Sequence, residues 1–413
     1  MPEAVDLLLR NLRPLGGAGL LDLAAVGGRF VAPSPDLAAA RVIDASGGLA
    51  LPGLVEPHIH LDKVMISREV RANRSGTLTE AIEIVREKKP RITIKEIVAR
   101  AGTVIESSVA SGVTQMRSHV DVDTGVGLRL LDGVLAAREK YRSVIDLQIV
   151  AFPQEGIVQD PGTETLLRQA MARGADLVGG MPFNERSAAD SARHIAIAFE
   201  IARAFDADID MHIDETDDPA ARTLEMLADQ TVTNGYEGRV TAAHACALAA
   251  YPADEARRVI DKVKRAGLNV IVNPATNLML QGRIDAEPKR RGITRVGELL
   301  AAGVPLAFGQ DCVSDTFYPF GRGAPLEIAL IAAHAAHLSG PAQIERLLAM
   351  ATDEAARILR LDDYGLRPGA LADLAIFEAP DAATAIRLQA PPRWVVKRGR
   401  VVAETEIRRA LRL

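Results

Sequence analysis

Short apolar runs rich in β-branched residues alternate along this chain with longer stretches of helical periodicity, and the alternation recurs eight times. Strands are predicted at Leu54–His60, Gly112–His119, Val144–Phe152, Asp176–Met181, Ile209–Ile213, Val240–Ala245, Leu268–Asn273 and Pro305–Gly309. Helices are predicted between them, for example at Thr77–Lys89, Glu96–Ala110, Leu128–Tyr141, Ser187–Ala204 and Ala253–Ala266. Strands that alternate with helices in this way predict an α/β fold, a (β/α)8 TIM barrel, here over residues 53–365. The two ends break the pattern. Residues 1–52 and 366–413 read as short strands and turns (VDLLLRNLRPL, LLDLAAVGGRF, ADLAIFEAP, RWVVKRGRVVA) and are expected to form one small β-sandwich domain beside the barrel.

Composition narrows the class. Hydrophobic residues make up 48% of the 413, enough for a large buried core. A net charge of −5 gives no reason to expect nucleic acid or a membrane surface as partner. The two cysteines, Cys246 and Cys312, form no C-x-x-C, which argues against a disulfide framework and excludes deaminases that hold zinc through P-C-x-x-C. Asp6, Arg10 and Arg13 interrupt the N-terminal apolar residues, and no 18-residue uncharged apolar run occurs. The expectation is a soluble cytoplasmic protein.

The chemistry begins in LPGLVEPHIHLDK. Side chains alternate faces along a strand, so His58 and His60 point the same way, toward the mouth of a barrel where they can grip one metal ion. An isolated H-x-H can equally be a buried pair satisfied by backbone carbonyls. The rest of the chain adds weight. His212 falls near the end of the fifth predicted strand, His244 ends the sixth, and Asp311 follows the eighth. Barrel enzymes gather their active residues at the C-terminal ends of several strands. Three histidines and a carboxylate suit a mononuclear site with room for water.

HIHLDK, HIDE, the AAH strand end and GQD resemble the amidohydrolase superfamily, and within it the cytosine deaminase family. DLQIVAFPQEGI at 146–157, SHVDVD at 118–123, QGRIDAEPKRRGITRV at 281–296 and FYPFGRG at 317–323 carry the same resemblance, which spans nearly the whole chain. It implies metal ligation by His58, His60, His212 and Asp311, with Glu215 as proton-shuttling acid. It implies that His244 hydrogen-bonds the water on the metal and that Gln154 holds the pyrimidine ring edge. No lysine on the fourth strand suggests a bridging carbamate, so one divalent metal is expected, with Fe²⁺, Zn²⁺ and Mn²⁺ all suited to these ligands. Such a metal lowers the pKa of bound water toward about 7, giving hydroxide for attack on the carbon that bears an exocyclic amine. The implied reaction is deamination of an aminopyrimidine base, cytosine or 5-methylcytosine, by a homo-oligomer.

The chain departs from that family where substrate should sit. Cys312 stands where a second aspartate usually follows the metal-binding one, Gln310 stands where histidine often precedes it, and Phe317 replaces a tryptophan. Cysteine behaves as a small hydrophobe, so a pocket that admits a 5-methyl group is one reading and simple packing behind Asp311 the other. Isocytosine, creatinine and N-alkylamino-triazines remain alternative substrates, and a catalytically dead scaffold is a remote alternative. Lesser signals get structural readings. His119 is expected to be a satisfied barrel residue, and His334 and His337 to be structural. Asp121 and Asp123 are expected to cap the loop into the next helix, and Lys63 is given no ligand role.

Overall fold

The computed structural model describes residues 5–33 and 38–412. All eight predicted barrel strands form, at Leu54–Ile59, Val113–Asp121, Asp146–Phe152, Leu177–Gly180, Asp208–Ile213, Val240–His244, Asn269–Val272 and Leu306–Phe308. Each pairs in parallel with the next, and an Ile59–Asp311 bridge joins the first to the segment after the last, so the sheet closes into a barrel. Two backbone hydrogen bonds reinforce the closure, Asp311 N to His58 O at 2.7 Å and His60 N to Asp311 O at 3.1 Å. Gly309 permits this approach: a Cβ there would lie 2.8 Å from the His58 carbonyl oxygen. The strands are buried on both faces, which is why they read as near-continuous apolar runs.

The helices settle within two residues of expectation, because capping residues set their starts. Thr77 caps Leu78–Lys88 through Glu80 N, Thr93 and Glu96 form a reciprocal capping box at Ile94–Ala110, and Ser187 caps Ala188–Phe205. Apolar side chains such as Ile97, Ile105, Ile195 and Phe199 line the layer between helices and barrel.

The terminal segments build a separate β-rich domain. Its strands join in one hydrogen-bonded path, Arg400–Glu404, Trp394–Lys397, Leu374–Phe377, Leu49–Pro52, Val5–Pro14, Leu21–Val26 and Arg29–Val31, with Ala39–Asp44 alongside Val5–Pro14. Leu7, Leu9, Leu12, Phe30, Ile43, Ile376 and Val396 from both halves of that path share one apolar cluster. Buried Lys397 ties this domain to the barrel: its ammonium donates to Asp373 at 2.6 Å, to Asp146 at 2.7 Å and to the Thr114 carbonyl at 3.1 Å. Among the described residues no helix is long and apolar enough to cross a membrane.

Candidate active site and metal centre

The C-terminal ends of the first, fifth, sixth and eighth strands bring the expected residues together. His58, His60, His212 and Asp311 each offer one ligand atom within 4.8 Å of the others, and all four are buried. Asp311 Oδ1 lies 3.5 Å from His58 Nε2 and 3.4 Å from His60 Nε2, and the Nε2 atoms of His60 and His212 are 3.0 Å apart. Neither ring nitrogen of His58 has a hydrogen-bond partner. Burial lowers the pKa of His60 and of His212 well below the ordinary imidazole value, and the Lys63 ammonium adds to this at His60. Both rings are therefore neutral, the state that ligates metal. Buried lone pairs facing one carboxylate, with normal hydrogen bonds missing, fit a divalent cation, and three nitrogens with one oxygen suit zinc or iron.

The backbone is strained at this point. His244 (φ 70°) and Asp311 (φ 64°) lie in the left-handed region, which costs non-glycine residues of order 1–3 kcal/mol each and recurs at functional sites. Glu56 braces the centre, accepting from His58 N at 3.0 Å and from Gln310 N at 3.0 Å, so one carboxylate aligns the first strand with the loop after the eighth.

Around this cluster sits a small cavity lined by Gln154, Glu215, Cys312 and Phe317 together with His60, His212 and Asp311. It shares Leu78, Met181 and Glu215 with a wider opening toward solvent. Burial, and then the charge of Asp311, raise the pKa of Glu215 well above the usual carboxyl range and so favour its protonated form. Burial also pushes Asp311 up, but His58 and His244 beside it more than offset this and leave it ionised. His244 is pushed down to about 4, chiefly by burial, and its Nδ1 lies 3.3 Å from Glu215 Oε1. The arrangement therefore pairs an acid that favours its proton with an ionised carboxylate across one cavity, a separation of roles that acid–base catalysis requires.

Several residues have roles the sequence reading missed. Asn277 donates to Glu215 at 3.0 Å and also reaches His244, fixing both. Asp315 accepts hydrogen bonds from Phe317 N at 2.9 Å and Tyr318 N at 3.0 Å, shaping the loop that carries Cys312 and Phe317. Gln310 does not line the cavity. Its side chain donates to Cys312 O at 3.1 Å and accepts from Gly323 N at 3.0 Å, pinning the same loop.

Some of the lesser expectations are corrected. His119 is buried but unsatisfied: neither ring nitrogen has a partner, and Asp210 Oδ1, at 3.7 Å from its Nε2, is out of hydrogen-bond reach and likewise unpaired, while Arg117 donates to Asp210 Oδ2 at 2.8 Å. Asp123 caps the loop into the next helix as expected, accepting from Gly125 N at 2.8 Å and Val126 N at 3.2 Å, whereas Asp121 takes no part in that loop. Asp121 pairs with Lys63, while Asp123 accepts from Lys89 at 2.6 Å and closes a local turn onto Gly125 N. Lys63, given no ligand role from the sequence, donates to Gln154 Oε1 at 2.8 Å. His334 lies on the helix Pro325–Ala336 and donates to Leu330 O, but His337 ends that helix in the left-handed region, so the two do not share a helical face.

Comparison with known proteins agrees with this geometry. Residues 41–403 match the amidohydrolase family. The chain is 38% identical to 5-methylcytosine deaminase from Klebsiella pneumoniae, solved with 5-fluorocytosine, over 98% of this chain and 99% of that one, with a TM-score of 0.93. It is 30% identical to N-isopropylammelide isopropyl amidohydrolase of Pseudomonas sp. (strain ADP), over 98% of this chain and 99% of the relative. It is 31% identical to pterin deaminase of Rhizobium rhizogenes, over 87% of this chain and 82% of the relative. The chain belongs to the amidohydrolase family. It is a metal-dependent hydrolase of C–N bonds.

Proposed function

We propose that this enzyme deaminates an aminopyrimidine base, cytosine or 5-methylcytosine, giving the corresponding oxo base and ammonia from one water. The observation that carries the reading is the cavity in which Gln154, Glu215 and Cys312 meet the His58–His60–His212–Asp311 cluster. Those four residues would hold one divalent ion, Fe²⁺ or Zn²⁺, which when bound makes water a nucleophile at neutral pH. Asp311 accepts a proton from the attacking water. Glu215 gives its proton to the ring nitrogen beside the carbon under attack, making that carbon more electrophilic. His244 steadies the charge that develops on the entering oxygen, Glu215 takes up the proton left on that oxygen, and the proton held by Asp311 passes to the exocyclic nitrogen, so that the C–N bond breaks and ammonia leaves. Gln154 holds the ring edge, and Phe317 covers the ring.

Cys312 supports a preference for the methylated base. It lines the cavity where an aspartate would repel a 5-methyl group. The similarity to a 5-methylcytosine deaminase supports the same reading, whereas the N-isopropylammelide and pterin relatives favour other amino-substituted rings. We also propose that its partner is a small-molecule base rather than nucleic acid or a membrane, in keeping with the net charge of −5, and that it works as a cytoplasmic homo-oligomer. The test is amine release from metal-loaded protein offered cytosine, 5-methylcytosine, isocytosine, creatinine, N-isopropylammelide and pterin. Fastest turnover of 5-methylcytosine is expected. One extra methyl group in a fitted pocket is worth about 1–3 kcal/mol, so Cys312→Asp should shift the preference toward cytosine by about tenfold or more. An unchanged ratio in that variant would remove the role given to Cys312. Release of isopropylamine with silence on both cytosines would overturn the deaminase reading.

A further inference from the structure

Lys63 is 1% exposed and Gln154 is 4% exposed, and both line the inner cavity. The Lys63 ammonium is clamped by Asp121, with Asp62 4.0 Å away, and its remaining short contact is the 2.8 Å hydrogen bond to Gln154 Oε1. The charges of Asp121 and Asp62 more than offset the burial that disfavours its cation. A carboxamide is nearly symmetric in shape, and which end is oxygen is decided by its partners. An ammonium has three donors and no acceptor, so only the oxygen of Gln154 can face it. The backbone of Gln154 is held independently, its N donating to Phe152 O at 3.2 Å and its carbonyl accepting from Asn184 Nδ2 at 3.0 Å. Among the described residues no acceptor pairs with Gln154 Nε2, which leaves that N–H group to the cavity.

We infer that Lys63 is a positioning residue that fixes the direction of the Gln154 amide, so that the pocket selects rings presenting a carbonyl oxygen rather than an amino group at that edge. This rests on the reading above, in which Gln154 meets the ring. The consequence is a specificity filter that does not touch the reacting carbon. A ring with an amino group at the Gln154 edge would place donor against donor in a buried site. Sites built to hydrogen-bond one group reject the mismatched analogue by factors on the order of 10⁴. Were Gln154 free to turn over, it could serve either edge and the filter would weaken.

The experiment measures binding, so that it does not depend on turnover. Calorimetry on zinc-loaded protein compares 2-pyrimidinone with 2-aminopyrimidine, in wild type, Lys63→Met, Gln154→Met and the double variant. Lys63→Met strands a buried Asp121, so Lys63→Met/Asp121→Asn, which keeps the local charge balance, is measured alongside. Wild type is expected to prefer the pyrimidinone by at least a hundredfold. Loss of Lys63 should cut that preference by tenfold or more in both backgrounds. In Gln154→Met the further loss of Lys63 should change the preference less than twofold, because Lys63 acts through the amide. A preference that survives in both Lys63 variants overturns the inference. So does a full tenfold effect of Lys63→Met when Gln154 is already absent, which would mean that Lys63 meets the ring itself. Absence of any pyrimidinone preference in wild type overturns it too. If cytosine and 5-methylcytosine are not turned over, the deaminase reading falls while the calorimetric ratios still decide the role of Lys63.

Discussion

Glu215 is a buried acid at the edge of the metal-binding cluster. Burial and the nearby Asp311 charge favour its protonated form, and Asn277 keeps it aimed into the cavity. Removing its proton while keeping its shape should cost the step that needs an acid. Glu215→Gln is expected to lower kcat by about 10²–10⁴ with substrate KM changed only a few-fold, as measured by steady-state ammonia release. Equal loss in KM alone would instead mark it as a binding residue. The HIDE motif made Glu215 visible in the sequence, because it follows His212 by one short step along the chain. Asn277 and Lys63 were not visible in that way. Their partners lie 62 and 91 residues away, and only closure of the barrel brings them together. A signal for Asn277 did exist. Asn273 and Asn277 stand one turn apart at the start of the short helix Pro274–Leu280, and two buried amides at that spacing need a polar partner.

At the scale of single elements, apolar runs placed the strands well because parallel strands are buried on both faces and leave little ambiguity of pattern. His119 resisted the same logic. Its position on the second strand was readable, but whether its nitrogens found partners depended on the fifth strand, where Asp210 Oδ1 stops at 3.7 Å from the ring. Between elements, Glu225 on the helix Thr223–Asn234 meets Arg258 at 2.6 Å and Lys262 at 3.0 Å on the helix Ala253–Arg265. The hydrogen bond from Arg258, helped by Lys262, holds Glu225 down to about 2. A carboxylate depressed below its unfolded value stabilises the fold above that unfolded value, and the contribution fades as pH falls through the folded one. Glu225→Gln should therefore lower the stability slightly at pH 7, by less than about 1 kcal/mol because the cluster is solvent-screened. The difference from wild type should shrink between pH 4.5 and pH 2, followed by thermal melts across that range.

For the whole molecule, two features join distant parts of the chain. Lys397 links the terminal domain to the second and third barrel strands through Thr114, Asp146 and Asp373. Breaking a buried pair by deleting one partner costs about 3–5 kcal/mol, so Lys397→Met should lower the denaturation midpoint markedly without altering metal content. The metal centre joins the first, fifth and eighth strands around the barrel mouth. A ligand that binds only the folded state adds about 2.7 kcal/mol at a hundred times its Kd. Chelation should then lower the melting temperature, and re-addition of zinc should restore it in a concentration-dependent way. The measurement closest to the central claim is a titration of metal-free protein with zinc or ferrous iron, with bound metal and ammonia release from 5-methylcytosine recorded at each addition. The account predicts that activity rises from baseline and reaches its plateau at one metal per chain, and that His60→Ala and His212→Ala abolish both readings. Full activity in metal-free protein, or a plateau only at two metals per chain, would contradict it.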